Sequence, residues 1–294
     1  LEAMAHIDPK WFHYEETEAP IPTGMNEPRA VTADASGTLY LAGDQTVHII
    51  YPESRRVERW RLDDAPCCVA PAEKEIFIGT RDRVLVAGRN GEVRARWPGL
   101  GEGAWITDIA LDDAHVFIAD AGKRIVWCFD RAGRFIRRIG EKDPERQISG
   151  FVVPGPYFTL ALAPDGLLRV ANPGRHRIEA YTARGDLALS WGRFGNNLED
   201  FTACCNPVSF DILTDGSVVT CEKGLARIKV YDSDGALTGV VAGPQQLTGG
   251  VQTIAQNPEK RQHYGFDVAA DDTGRVYVLD RMKNIVRIFT KKEA

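Results

Sequence analysis

Apolar residues between Val116 and Gly140 (VFIADAGKRIVWCFDRAGRFIRRIG) fall into three short runs separated by polar breaks. Val116–Ala119 is continuous, Ala121-Gly122 interrupts it, and Ile125–Phe129 resumes it. Asp130-Arg131-Ala132-Gly133 then turns the chain, and Phe135–Ile139 alternates apolar with basic side chains. Runs of this length, bounded by Gly and Asp, predict short strands joined by tight turns. The pattern returns at 167–192 (LLRVANPGRHRIEAYTARGDLALSWG) and at 217–243 (SVVTCEKGLARIKVYDSDGALTGVVAG). A period of roughly 40 to 50 residues with four strands per unit is that of a propeller blade.

The pattern extends to six units, at about 28–60, 66–97, 106–140, 158–192, 207–243 and 264–290. The last has three strands rather than four: GFDVAADDTG, RVYVLD and NIVRIF. Near the other end, Trp11–Glu16 (WFHYEE) is a spare strand, followed by a Pro-rich linker. Supplied to the last unit, it closes the ring and removes an exposed edge. The expectation is an all-β, six-bladed β-propeller of four-stranded blades forming one domain. Residues 1–27 hold a leader or vector remnant at Leu1–Ala5, the closing strand and the linker.

Composition changes this picture little. The 294 residues are ample for such a ring, and no apolar run is long enough to span a bilayer. A net charge of −5 gives no overall attraction to nucleic acid. Six cysteines are few for a disulfide scaffold, but four of them form two vicinal pairs.

The segments VFIADAGKRIVWCFDRAGRFIRRIG and LRVANPGRHRIEAYTARGDLALSWG resemble the NHL repeat: V-Y-V-A-D/N, a turn, N/H-R-I, an apolar strand, D-x-x-G and a closing F/W-G. Units three to six match well; units one and two carry Gly43-Asp44 and Gly79-Thr80 where the family has Ala-Asp. The resemblance implies a fold rather than an activity, since NHL-type propellers include scaffolds, RNA binders and a zinc-dependent lyase of amidated-peptide synthesis. That lyase's histidines at the start of inner strands are matched here by Arg29, Pro66 or Cys67, Phe158, Val208 and Phe266, none of them histidine. The resemblance also implies that Arg124, Arg177 and Arg227 pair between blades with Asp120 and Asp280.

Loop lengths divide the two faces of the ring. Turns such as APDG, LTDG, RAG and SDG are tight, whereas the connections 141–158, 193–207 and 244–264 are long. Long loops on one rim of a rigid scaffold point to function, so the site is expected on that rim, at the channel mouth. Cys204, Cys205 and Asn206 (FTACCNP) precede the inner strand of blade five, and Cys67 and Cys68 (APCCVAP) take the matching place in blade two. Blades two and five oppose each other, which sets the pairs face to face across the channel. Cys221, at the end of a strand in blade five, is expected beside Cys204 and Cys205. Three readings stay open: a thiophilic metal site (copper, zinc or iron–sulfur) using Cys204, Cys205 and Cys221, a redox-active or disulfide-forming vicinal pair, or small residues packed at the tight centre. Cys128, mid-strand between Trp127 and Phe129, reads as core.

The same rim concentrates basic residues, of which Arg175, His176 and Lys223 are the candidates for ligand contact. Asp108, Asp211 and Asp267 punctuate inner strands, where a carboxylate needs a buried partner or binds a cation through oxygen. The six histidines are scattered, and neither H-E-x-x-H nor G-x-S-x-G occurs. The resulting expectation is a propeller that binds a small molecule or protein at the long-loop rim. The alternatives are a redox or metal-dependent enzyme using the cysteine pairs and, less favoured, nucleic-acid binding on the basic rim. An exported, periplasmic bacterial protein is the expected setting, with a cytoplasmic one also compatible.

Overall fold

The computed structural model describes residues 5–250 and 265–293. Most of the 244–264 connection and of the Leu1–Ala5 leader lies outside them. Six antiparallel sheets stand in a ring, each numbered from the channel outward as strands A to D. In blade three these are Ile106–Leu111, His115–Asp120, Ile125–Asp130 and Phe135–Ile139. Blade six is built from Phe266–Ala270, Val276–Asp280 and Ile285–Lys291, and Tyr14–Glu16 supplies its outer strand. Tyr14 pairs with Lys291 and Glu16 with Phe289, and the Glu16 carboxylate grips Arg287 at 2.6 Å. Ile21–Pro22 adds a second short pairing on the same strand. The closing strand is shorter than the sequence pattern predicts. Pro9–Trp11 forms a 3-10 turn, because Asp8 caps the Lys10 amide and Pro9 occupies the first turn position.

Among the described residues the core is divided rather than central. The buried apolar side chains form six clusters, one at each seam between neighbouring blades. Phe77 and Trp97 of blade two meet Ile118 and Trp127 of blade three, and Val241 of blade five meets Tyr14 and Phe289 of blade six. Alternation along each strand puts both faces of a blade into such seams, as stacked sheets require.

The D-x-x-G turns explain themselves at these seams. Asp130 Oδ1 accepts from the amides of Ala132 and Arg134, and Asp232 does the same for Asp234 and Ala236. The glycine that follows has φ near +81° at Gly133, and a Cβ there would lie 2.7 Å from the Trp97 indole of the preceding blade. Gly91 meets Trp60 at the same distance, and Gly235 presses on Trp191. At Gly235 and Trp191-Gly192 the D-x-x-G and W-G signatures are therefore two halves of one contact, and Gly133 and Gly91 repeat the same packing of glycine on indole.

Three inner-strand carboxylates stitch neighbouring blades along the channel wall. Asp108 accepts from the Leu160 amide of blade four (3.0 Å), Asp211 from Ala270 of blade six (2.8 Å), and Asp267 from Val31 of blade one (2.8 Å) and the Ser209 hydroxyl of blade five (2.6 Å). Burial nevertheless outweighs these bonds. It pushes the Asp108 carboxyl well above its ordinary range and that of Asp211 up to about 6.

Two outcomes follow. Gly133→Ala should cost about 2–4 kcal/mol by urea unfolding, combining left-handed strain with the indole clash. Gly166→Ala, with the same φ but nothing within 4 Å, should cost only about 1–2 kcal/mol; equal losses would show that the Trp97 contact is unimportant. For Asp211, the folded chain holds its proton more tightly than the unfolded chain. Its contribution is therefore fully present at low pH and lost as pH rises through about 6. Relative to wild type, Asp211→Asn should gain about 1 kcal/mol between pH 4.5 and 7.5, less than a fully enclosed group would give because the carboxyl faces the channel. A pH-independent difference would contradict this.

Candidate channel-mouth site

The inner strands enclose a channel with a cavity of about 1240 Å³. Its mouth on the long-loop face is lined by Arg29, Cys67, Arg81, Trp105, Tyr157 and Arg281, its wall by Asp108, Thr159, Asp211 and Asp267, and its far end by Asp34, Glu73 and Arg89.

Residues at the ends of the B strands position the mouth. Asp120 Oδ1 accepts from the Trp105 amide (2.9 Å) and the Lys123 amide (3.0 Å), and its Oδ2 from the Trp127 indole (3.0 Å). Asp44 grips the amides of Asn26 and Glu27, Asn172 that of Val152, and Glu222 that of Thr202. Each holds the connection entering its blade. This corrects the expected pairing of Arg124, Arg177 and Arg227 with Asp120 and Asp280. Arg177 bonds Glu179 and Arg227 bonds Glu222, both within their own blades, because alternation brings those side chains onto one face. Asp280 accepts from the amides of Met282 and Lys283 in its own turn.

Trp105, fixed by Asp120, carries the Arg81 guanidinium 4.1 Å above its ring, while Tyr157 carries the Lys223 ammonium at 4.6 Å. Arg29 Nη1 donates to the Cys67 thiol at 3.7 Å, and an Arg281 guanidinium N–H donates to the Arg29 carbonyl. Burial raises the Cys67 thiol above its usual range, against the lowering effect of Arg29. Arg281 also stands 3.9 Å from Asp267. The other two wall carboxylates, Asp108 and Asp211, bond to backbone amides rather than to the basic rim.

The cysteine pairs are not arranged as the sequence leads one to expect. Cys67 and Cys68 line the channel, whereas Cys204 and Cys205 are absent from its lining. Asn206, wholly buried, bonds Thr202 O and both the amide and carbonyl of Lys223, and so serves as a loop pin rather than a channel group. The loop pinned this way exposes Cys204 and buries Cys205, whose thiol is pushed up to about 11 by burial and by the neighbouring Cys204. Beneath it Lys229, fully enclosed and brought down to about 8 by burial, bonds Glu222 and the carbonyls of Leu198 and Asp200. Cys221 lies in the core between blades five and six, and Cys68 and Cys128 lie in other seams. Among the described residues no three His, Cys, Asp or Glu side chains are grouped to hold a metal ion. The fold thus separates Cys221, in the core between blades five and six, from the loop that carries Cys204 and Cys205.

Arg175 ties the carbonyls of Ser149 and Gly150, and His176 bonds Ala203 O at 2.8 Å while meeting the exposed Phe194 edge-on. Both hold loops together away from the channel. Lys223 alone of these three candidates reaches the mouth, through Tyr157. Trp105 and Tyr157 escaped the sequence reading, as did the place of Arg29 at the channel mouth. The available signal was an aromatic directly before an inner strand, in GEGAWITD and PGPYFTL.

No protein-family model matches the sequence. The human E3 ubiquitin-protein ligase NHLRC1 is 32% identical over 122 residues, which is 41% of this chain and 28% of that protein's length. Among solved structures, a gluconolactonase of Xanthomonas campestris superposes with a TM-score of 0.63 at 16% identity, covering 93% of this chain and 88% of that one. Virginiamycin B lyase from Staphylococcus aureus superposes with 0.56 at 13% identity, covering 96% and 90%. At such identities the likeness is one of fold alone. Taken with the repeat motifs and the closed ring, these findings identify the chain as a six-bladed β-propeller of the NHL-repeat type.

Proposed function

We propose that the chain is a binding propeller that takes a small-molecule ligand into the channel from the long-loop face. The observation that carries this reading is the 1240 Å³ cavity itself, whose mouth sets cationic groups against aromatic rings. A concave site with a few convergent polar groups on a rigid frame is the usual form of a ligand pocket. The channel-lining groups Thr159 Oγ1 and Asn284 Oδ1, both buried, have no hydrogen-bond partner among the described residues, which suits a polar guest.

A second reading has one observation in its favour: Cys204 is exposed and lies beside Cys205. The exposed Cys204 thiol is open to oxidants and soft metals, with Cys205 next to it in the chain. The channel is the stronger reading because more elements converge on it.

The test is to incubate the protein with a small-molecule extract, wash, and identify retained compounds by mass spectrometry. Wild type should retain at least one compound, and Thr159→Phe, which narrows the channel at an overpacking cost of about 1–3 kcal/mol, should retain at least tenfold less while still unfolding cooperatively. Retention no better than that of denatured protein, or unaltered by Thr159→Phe, would refute the proposal.

A further inference from the structure

Three arginines reach the channel mouth from three places in the ring: Arg29 at the start of blade one's inner strand, Arg81 from a turn of blade two, and Arg281 from a turn of blade six. Their charges are poorly answered by the described residues. Among the described residues neither Arg29 nor Arg81 has a carboxylate within 4.0 Å. Asp82, the acid next to Arg81, is taken by Arg83 at 3.2 Å. Among the described residues Arg281 has Asp267 only at 3.9 Å, and its buried Nε has no partner. Guanidinium groups gathered with so little compensation repel one another, and an anion relieves that cost.

The arrangement is also pre-organised. Stacking on Trp105 fixes the plane of Arg81 and leaves its N–H edge for bonding. Arg29 is steadied by the Cys67 thiol, and its carbonyl is held by Arg281. Backbone bonds anchor the turn beneath: Ile106 N–H donates to Arg81 O at 2.9 Å, and Leu100 N–H to Asp82 O at 2.8 Å. Rigid guanidinium forks recognise paired oxygens, as in a carboxylate or a phosphate.

We propose that Arg29, Arg81 and Arg281 form an oxyanion-binding site that holds the carboxylate or phosphate head of a small organic acid, with the rest of the molecule extending down the channel. The proposal rests on the channel being the ligand site and names the ligand's chemical class. The cavity is far larger than an isolated anion needs, so the head group belongs to a larger molecule. The wall below carries Asp108, Asp211 and Asp267, which keep a negative head at the mouth and suit an uncharged, hydroxylated body deeper in. The attraction is local, because the chain as a whole carries −5.

The test is calorimetric titration at low salt with phenyl phosphate, phenylacetate and benzyl alcohol as probes. Wild type, Arg29→Gln, Arg81→Gln and, as a control on an exposed turn remote from the mouth, Arg184→Gln are compared. The expected result is saturable one-to-one binding of at least one anion, weakened about tenfold or more by Arg29→Gln and by Arg81→Gln, unchanged by Arg184→Gln, and reduced by added salt. The preferred anion distinguishes a phosphate head from a carboxylate. Anion binding that survives both mouth substitutions overturns the proposal. So does the absence of anion binding in a protein whose channel still retains a compound displaced by Thr159→Phe, an outcome that leaves the channel reading standing. Loss of both overturns both.

Discussion

Every blade of this protein has two apolar faces and no means of covering either by itself. That constraint drives the architecture: the buried side chains gather at the seams between sheets, and a blade is stable only between two neighbours. A linear stack of such sheets always leaves two bare faces, whereas a ring leaves none. The channel is the geometric residue of that solution. Six inner strands cannot converge on a line, so they enclose a space whose wall is part backbone and part short side chain. Asp108, Asp211 and Asp267 then serve the ring first, because their oxygens bridge the inner strands of adjacent blades exactly where no outer packing reaches.

The fold was legible because its signals are periodic. The recurrence of strand, turn and D-x-x-G identified the blade, and the missing fourth strand of the last unit identified the closure. Each signature has a local cause, such as Gly133 lying under Trp97. The site was legible only in outline. Loop length points to the face where Arg29, Arg81 and Trp105 line the channel mouth, whereas residue type points to other side chains on it. Vicinal cysteines draw attention in any sequence, yet whether Cys204 and Cys205 reach the channel depends on how Asn206 and Glu222 pin one loop, and those bonds have no periodic trace. The arginines were equally ambiguous. Arg177 and Arg227 are absorbed by acids of their own blades, while Arg29 and Arg81 are not, and only three-dimensional register separates the two cases.

One position in the repeat shows how the family's pattern tolerates change. In blades three, four and five the third residue of strand C faces the polar end of strand B, and the pairs are Trp127 with Asp120, Glu179 with Asn172, and Lys229 with Glu222. An indole, a carboxylate and an ammonium thus do the same work, with the partner's charge adjusted to match. Where the ammonium is used, backbone carbonyls of the entering loop complete its coordination. Buried polar groups here are constrained as pairs, not as individual residues.

The closing strand has a consequence for how the ring comes into being. Thr17 bonds Thr290 across 273 positions of chain, Tyr14 seals the seam between blades five and six, and Thr23 O receives His48 in blade one. One short N-terminal stretch therefore touches three blades whose residues lie at opposite extremes of the sequence. Until those extremes meet, blade six lacks its outer strand and each end of the array shows an open face. Joining them carries the largest loop-closure entropy in the molecule, and it yields its stabilisation only when all six seams are complete. The channel therefore comes into existence only when that last seam is made.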